Sequence, residues 1–424
     1  MLHKNLIDEF KKRGCIAQLT DEKGLLQSMF FNSITLYCGF DITADSLHIG
    51  HILPLLCLKR FQMSGHKPIV LLGEATSLIG DPSFKNIERK LNNLESVILW
   101  KENIRKQISG FLDFNCGINS AEIVNNKDWF DSINILNFLR DIGKYFSVNK
   151  MINRESVKKR VFSSNQGISF TEFSYNLLQA YDFMILHKKY SVTLQIGGSD
   201  QWGNIASGIF LTRRLLNKTV FGLTLPLLIQ DNGVKFGKTE TGTIWLDPKK
   251  TSPYKFYQFW INRSDTEILN FLKMFTFLSL KEIKDIKVKN IETNDIYSSR
   301  KILAESVTRL VHGAIGVSAA KRISSFLFSK SLNSLTLSDF QQLKQDGIPF
   351  IKLSGHEDLQ QALVNAALSP SRGQARNMIF SGAIHVNNKI QKDMKYCFRD
   401  SDKIFQFKHN KTRNYCGCGE SFEL

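Results

Sequence analysis

Several features are missing from this 424-residue chain, and each absence removes a class of protein. No stretch approaches the roughly twenty consecutive apolar residues of a membrane-spanning helix, which excludes that architecture. Met1 to Asp21 mixes acids and bases without the apolar run of a signal sequence, so a cytoplasmic protein is expected. The seven cysteines, Cys15, Cys38, Cys57, Cys116, Cys397, Cys416 and Cys418, form no C-x-x-C pair and no regular framework. An odd, scattered set excludes a disulfide scaffold and fits a reducing compartment. Cys416-Gly417-Cys418, near His409, has the wrong spacing for a zinc knuckle. Proline is scarce, 8 residues against 32 phenylalanines, in a chain loaded with Lys, Asn and Ile.

Acidic residues are also in deficit, 39 against 56 basic ones, for a formal net charge of +17. Such an excess fits a polyanionic partner; an AT-rich coding drift toward lysine gives the same total. The distribution is more informative. Ser371 to Arg413 holds ten basic residues against three acidic ones, and Lys144 to Arg160 holds six against one. These concentrations favour a patterned surface over uniform drift. The length exceeds one ordinary core, so two or three domains are expected.

The first half alternates strand-like and helix-like segments. Ile34 to Phe40 reads as a strand, His51 to Met63 as a helix with Pro54 tolerated in its first turn, and Pro68 to Gly73 as a fully buried strand. Short strands follow at Glu122 to Val124 and Ser191 to Ile196. The pattern predicts an α/β fold, a Rossmann-like parallel sheet covered on both faces. Past Pro248 the chain becomes helical. The stripe Tyr254, Phe256, Tyr257, Phe259 and Trp260 reads as core packing, with an RNA-stacking surface as the alternative. Ser324 to Pro349 reads as a connecting segment. A small module closes the chain: a helix over Asp358 to Ala367, a second from Ser369 through Ile379, and a hairpin over Gly382 to Lys389 with an Asn387-Asn388 turn.

Five clusters carry chemistry. His48-Ile49-Gly50-His51 lies where the first strand passes through Asp41-Ile42-Thr43-Ala44-Asp45 into a helix. A helix start has unpartnered N–H groups and a favourable dipole for an anion; glycine permits close approach, and imidazoles donate to phosphate. Gly80-Asp81-Pro82-Ser83-Phe84-Lys85, with Arg89, reads as a helix start that presents two cations on one face. Lys235-Phe236-Gly237-Lys238-Thr239 suits a phosphate-gripping loop. Tyr175, Gln179 and Asp182 fall at i, i+4 and i+7, one helical face bearing three polar groups. Gln195 to Asn204 is a glycine-rich loop leaving a strand. Each alone has an equally good structural explanation; all five in this order do not.

Together these residues resemble the bacterial-type tyrosyl-tRNA synthetases, a family of class I aminoacyl-tRNA synthetases. His48 to His51 matches the class I signature, and Lys235 to Thr239 the tyrosyl form of its lysine loop. Tyr37-Cys38-Gly39-Phe40-Asp41, Gln179-Ala180-Tyr181-Asp182 and Gly197 to Asn204 match more specific family motifs. The C-terminal module resembles a small RNA-binding domain shared with certain ribosomal proteins. The tail from Tyr415 to Leu424 departs from the family pattern and is assigned no role.

The resemblance implies activation of L-tyrosine with ATP, then transfer of tyrosyl to the 3′ end of tRNA(Tyr), with Mg²⁺ accompanying ATP and a homodimeric assembly. It places Thr43, His48 and His51 on nucleotide phosphates, and Lys85, Arg89, Lys235, Lys238 and Thr239 over the departing pyrophosphate. Gly39, Asp41, Gly50, Gly198 and Asp200 are expected, with Lys238, to border ATP. Tyr37 and Asp182 would meet the phenolic hydroxyl; Asp81, Tyr175 and Gln179 the α-ammonium; Gln201 belongs to the same substrate site. For tRNA, Arg154, Lys158, Lys159, Arg160, Arg213 and Arg214 would serve near the acceptor stem, and Arg372, Arg376, Lys389 and Lys392 elsewhere on the RNA. The expected domains are catalytic 1–222, lysine loop and helical 223–325, linker 326–350 and RNA-binding 351–424. The rivals are a tryptophanyl enzyme, disfavoured by Tyr37 and Asp182, another nucleotidyltransferase, and a non-catalytic RNA-binding protein on a synthetase scaffold.

Overall fold

The structure is a computed structural model that describes residues 6–83, 92–163, 167–228, 236–239, 242–329, 335–347, 357–386 and 389–396, with short strands at Phe405–Phe407, Asn414–Tyr415 and Ser421–Phe422. The chain divides into two compact units, Met1–Asp247 with Asp265–Asp295, and Pro248–Ser264 with Ile296–Leu424.

The first unit is built on a six-stranded sheet of β1 (Gln18–Leu19), β2 (Thr35–Asp41), β3 (Lys67–Gly73), β4 (Glu122–Asn125), β5 (Val192–Gly198) and β6 (Phe221–Leu225), in the order β1-β6-β5-β2-β3-β4. All neighbours are parallel except the edge strand β1 against β6. Every residue of β3 from Pro68 to Gly73 is buried, as expected of a strand covered on both faces. From β2 the chain steps to β3 on one side, and β5 later pairs on the other. That reversal opens a crevice at the carboxyl ends of β2 and β5, the place where open α/β sheets bind ligands.

Local sequence sets the flanking helices. Pro54 sits in the first turn of Ile52–Met63, where its missing N–H costs nothing. Ser169 caps the 21-residue helix Phe170–Tyr190 by accepting from Glu172 N–H, and Ser191 ends it in a left-handed conformation. This helix lies over one sheet face, where Phe183 and Leu186 share a core with Tyr37, Ile69 and Leu71.

Helices Asp265–Phe275 and Leu280–Thr293 belong to the first unit rather than to a helical domain running over 223–325. The reason is two buried arginines: Arg13 donates to Lys273 O and Leu278 O, and Arg60 to Met274 O and Thr276 O. These bonds cover last-turn carbonyls of the first helix, at Lys273 and Met274, and those of the segment after it, at Thr276 and Leu278.

In the second unit, helix Pro253–Ile261 packs on the long helix Ile296–Ser329, which breaks at Gly313 with φ +69°. Phe256 and Trp260 are wholly buried and Tyr254, Tyr257 and Phe259 nearly so, which removes the RNA-stacking alternative. The segment read as a connector contains a helix, Leu337–Gln345, begun by a Thr336–Asp339 capping box and held by a bidentate Arg322–Asp339 pair. The C-terminal module has its own core of Leu359, Leu363, Ala375, Ile379, Ile384 and Val386. Its helices Leu359–Asn365 and Arg372–Phe380 precede Ile384–Val386, which pairs antiparallel with Lys389–Ile390 and with Phe405–Phe407. Asn387 and Asn388 lie outside the described residues. No helix among the described residues is long and apolar enough to cross a membrane.

Candidate active site

At the carboxyl end of β2, a Cβ added to Gly39 would meet nothing within 4 Å, so the backbone there is open to approach. Thr43 is exposed just beyond. The turn Ile49–His51 then leads into helix Ile52–Met63. His48 Nδ1 accepts Gly50 N–H at 3.1 Å, and His51 Nδ1 accepts His48 N–H at 3.1 Å, a reciprocal capping box made of two imidazoles. The rings stack with centroids 3.9 Å apart. With both Nδ1 atoms accepting, each neutral ring carries its proton on Nε2. Burial, aided by repulsion from His48, holds His51 well below the usual histidine range. With Nδ1 accepting, each ring is a neutral donor through Nε2 in this arrangement.

The lysine arm is docked beside this turn. Ile49 N–H donates to Ile244 O at 3.0 Å, Leu246 N–H to Leu47 O at 2.8 Å, and Ile244 N–H to Gly237 O at 2.9 Å. Gly237 has φ +84°, and any Cβ there would collide with Ile49 Cγ2, so both conformation and space require glycine. Phe236 anchors the arm on Phe271 and Phe275, at ring separations of 5.2 and 5.6 Å. The backbone of Lys238–Thr239 pairs with Gly242–Thr243. Lys85, Arg89 and Lys235, and the side chains of Lys238 and Thr239, lie outside the described residues.

The side chains around Asp182 and Asp41 form a buried polar network. Asp182, 2 % exposed, accepts Trp129 Nε1–H at 2.8 Å and Asn126 Nδ2–H at 3.3 Å. Burial pushes its carboxyl well above the usual carboxylate range, against the lowering effect of those two donors. Asn126 also donates to Thr76 Oγ1 at 3.0 Å; Thr76 donates to Asp41 Oδ1 at 2.8 Å, and Tyr175 OH to Asp41 Oδ2 at 2.7 Å. Asp41 is thus tied to Tyr175 rather than presented only to the nucleotide side. Asp81 accepts Gln201 Nε2–H at 2.7 Å and is steadied by the Ser83 hydroxyl at 2.7 Å. Gly198 precedes Asp200, whose Oδ1 would lie 2.5 Å from an added Cβ.

Tyr37 faces Gln195 across β2 and β5, which puts both side chains on one side of the sheet. The Tyr37 hydroxyl, Gln195 Oε1 and Gln179 Oε1 are buried without a hydrogen-bond partner among the described residues. Buried polar atoms are normally satisfied by protein, water or ligand, so these three are positioned to take a polar ligand or water. The sequence reading missed Thr76, Asn126 and Trp129, and named Gln195 only as the head of the glycine-rich loop. The available signal was Asn125-Asn126 at the carboxyl end of a parallel strand, where ligands bind.

Two basic residues expected at an RNA surface are placed otherwise. Arg160 is 2 % exposed, paired with buried Glu172 at 2.9 Å and bonded to Gly167 O. Arg154 is half-buried and donates to the Ser207 hydroxyl, which keeps its guanidinium against helix Trp202–Leu216. Lys158, Arg213 and Arg214 are exposed, whereas the Lys159 side chain is outside the described residues. Arg372, Arg376, Lys389 and Lys392 are exposed on the C-terminal module, with Arg372 held by Asp358 at 2.5 Å.

Comparison with known proteins agrees with this geometry. Residues 31–329 match the family "tRNA synthetases class I (W and Y)", and 339–407 match "Tyrosine--tRNA ligase SYY-like C-terminal domain". The chain is 57% identical over 419 residues to the tyrosine–tRNA ligases of Escherichia coli O8 (strain IAI1) and Shigella boydii serotype 18, covering 98% of this chain and 99% of each relative. A C-terminally truncated mitochondrial tyrosyl-tRNA synthetase from Aspergillus nidulans superposes with a TM-score of 0.69 at 28% identity, covering 76% of this chain and 94% of that one. On this combined evidence of sequence and fold, the chain belongs to the class I tyrosyl-tRNA synthetase family.

Proposed function

We propose that this chain ligates L-tyrosine to tRNA(Tyr) with the residues gathered at the carboxyl ends of β2 and β5. The observation that carries the reading is the set of buried polar atoms of Tyr37, Gln179 and Gln195 that have no partner among the described residues, together with buried Asp182, which suit a polar aromatic amino acid. Tyr37 and Asp182 bind the phenolic hydroxyl, while Asp81, Tyr175 and Gln179, with Gln201 behind Asp81, hold the α-ammonium.

The tyrosine carboxylate is ionised at pH 7 and attacks the α-phosphate of ATP without a general base. Pyrophosphate leaves; positioning and charge stabilisation supply the catalysis. His48 and His51 donate through Nε2–H to phosphate oxygens, with Thr43 beside them and Gly39, Gly50, Gly198 and Asp200 bordering the nucleotide. The positive charge that stabilises the departing pyrophosphate comes from Lys85, Arg89, Lys235 and Lys238, with Thr239 donating. Mg²⁺ accompanies ATP as a counter-ion on its phosphates. Tyrosyl then passes to the 3′ end of the tRNA.

Lys158, Lys159, Arg213 and Arg214 take the acceptor side of the RNA, and the module over 351–424 grips it elsewhere through Arg372, Arg376, Lys389 and Lys392. Binding of that kind weakens steeply with salt. The working enzyme is a cytoplasmic homodimer in this reading. The test is ATP–pyrophosphate exchange with the purified chain: tyrosine alone among the amino acids should support it. Exchange driven equally by tryptophan, or none with tyrosine, would overturn the assignment.

A further inference from the structure

Ser46 stands two residues before His48 and is 4 % exposed. Its hydroxyl donates to Leu47 O at 2.8 Å and accepts from Gln107 Nε2–H at 3.1 Å and from Asp247 N–H at 3.2 Å. One donor and two lone pairs are all that a serine hydroxyl has, so this one is saturated. Gln107 lies on helix Leu94–Ser109, and its Oε1 accepts Leu47 N–H at 2.8 Å. Leu47 O in turn accepts Leu246 N–H at 2.8 Å.

One amide and one hydroxyl therefore join three pieces of backbone. These are the approach to the histidine turn at Leu47, the end of the lysine arm at Leu246 and Asp247, and the helix that follows the segment bearing Lys85 and Arg89. The same helix is fixed at Lys101, whose ammonium pairs at 2.9 Å with Glu74, a 1 % exposed carboxylate at the end of β3. Neither the three-residue turn nor the two-residue strands of the arm is long enough to hold its own register. Direct backbone bonds from Ile49 to Ile244 and from Leu246 to Leu47 join them, and Ser46 and Gln107 brace that junction from outside.

We propose that Ser46 and Gln107 are positioning residues for adenylation, which lock the histidine turn and the lysine arm together so that their donors converge on the same phosphates. The proposal rests on the functional reading above. Neither residue touches the reacting atoms; both act through the backbone on either side of the nucleotide. Donors aimed at a transition state must be held closely, and a displacement of about 1 Å costs about a hundredfold in rate.

The test compares Gln107→Met, Gln107→Glu, Ser46→Ala and the Gln107→Met/Ser46→Ala double variant. Methionine keeps the length and loses both amide bonds, whereas glutamate keeps the acceptor for Leu47 N–H. Gln107→Met should lower kcat for tyrosine-dependent exchange about 10- to 100-fold. Tyrosine affinity, read from protein fluorescence, should stay at the parental value. Gln107→Glu should recover most of the rate, and the double variant should fall no further than Gln107→Met, since both changes break one node. Should Gln107→Met fail to fold, Ser46→Ala carries the test with the same split between rate and affinity. A parental kcat in both single variants would overturn the proposal. So would a loss of tyrosine affinity equal to the loss of rate, the mark of general loosening. Absence of tyrosine-dependent exchange in the parent enzyme would instead overturn the functional reading, before any variant is made.

Discussion

The two ends of the active site solve their problems by opposite means. At the nucleotide end, the polar atoms of the histidine turn are engaged by their own backbone: each Nδ1 accepts an N–H, and each ring is left with one defined donor. At the amino-acid end, the Tyr37 hydroxyl and the Gln179 and Gln195 carbonyls are buried without partners among the described residues. The first end is preorganised before ATP arrives, so its donors reach developing charge without reorganisation. The second is completed by its ligand, so a wrong ligand leaves polar atoms unmet. In the proposed function, the first end governs rate and the second the choice of amino acid.

Substitutions should separate the two. The largest effect is expected from Asp182→Ala, which removes the acceptor shared by Trp129 and Asn126 and should abolish tyrosine-dependent pyrophosphate exchange. Parental exchange in that variant would break the comparison outright. His51→Ala should lower exchange kcat about 10²–10³-fold, about 2.7–4 kcal/mol, the usual cost of one transition-state donor. Fluorescence titration should show unchanged tyrosine affinity. The depressed His51 pKa also fixes a sign: the unfolded chain takes up a proton near 6.5 and the folded turn does not. Its contribution to stability is thus complete above pH 6.5 and is lost as pH falls below that value. Tyr37→Phe should reduce kcat/KM for tyrosine about two- to tenfold, the worth of one neutral hydrogen bond, and leave that for phenylalanine unchanged. Deleting everything after Gly355 should produce the smallest effect on either end. The module has its own core and holds none of the adenylation residues, so exchange should continue at the parental rate while tRNA charging falls.

What the sequence made legible follows from the range of the interactions involved. Strand β2, the turn at His48 and the spacing of Tyr175, Gln179 and Asp182 are short-range patterns, and each is where it was expected. Asn126 and Trp129 reach Asp182 across more than fifty residues, through the pairing of β3 with β4, and no local pattern announces that contact. Arg160 was misplaced for a related reason. In Lys158-Lys159-Arg160 the charge run looks like one solvated face, yet Glu172, twelve residues on, draws one member inward. Helix Leu337–Gln345 is different, since its Thr336–Asp339 capping box was readable and was masked by the Ser- and Leu-rich composition around it.

The unpartnered atoms around Tyr37 also bear on the lifetime of the protein. If tyrosine meets those atoms as proposed, it stabilises the folded chain as well as serving as its substrate. At a free concentration a hundred times the dissociation constant, a ligand adds about 2.7 kcal/mol to the folded state. The fraction of chains open to proteases then falls by about a hundredfold, since each 1.4 kcal/mol is a factor of ten. On the proposed assignment, the resistance of the folded chain to limited proteolysis should therefore rise with tyrosine concentration.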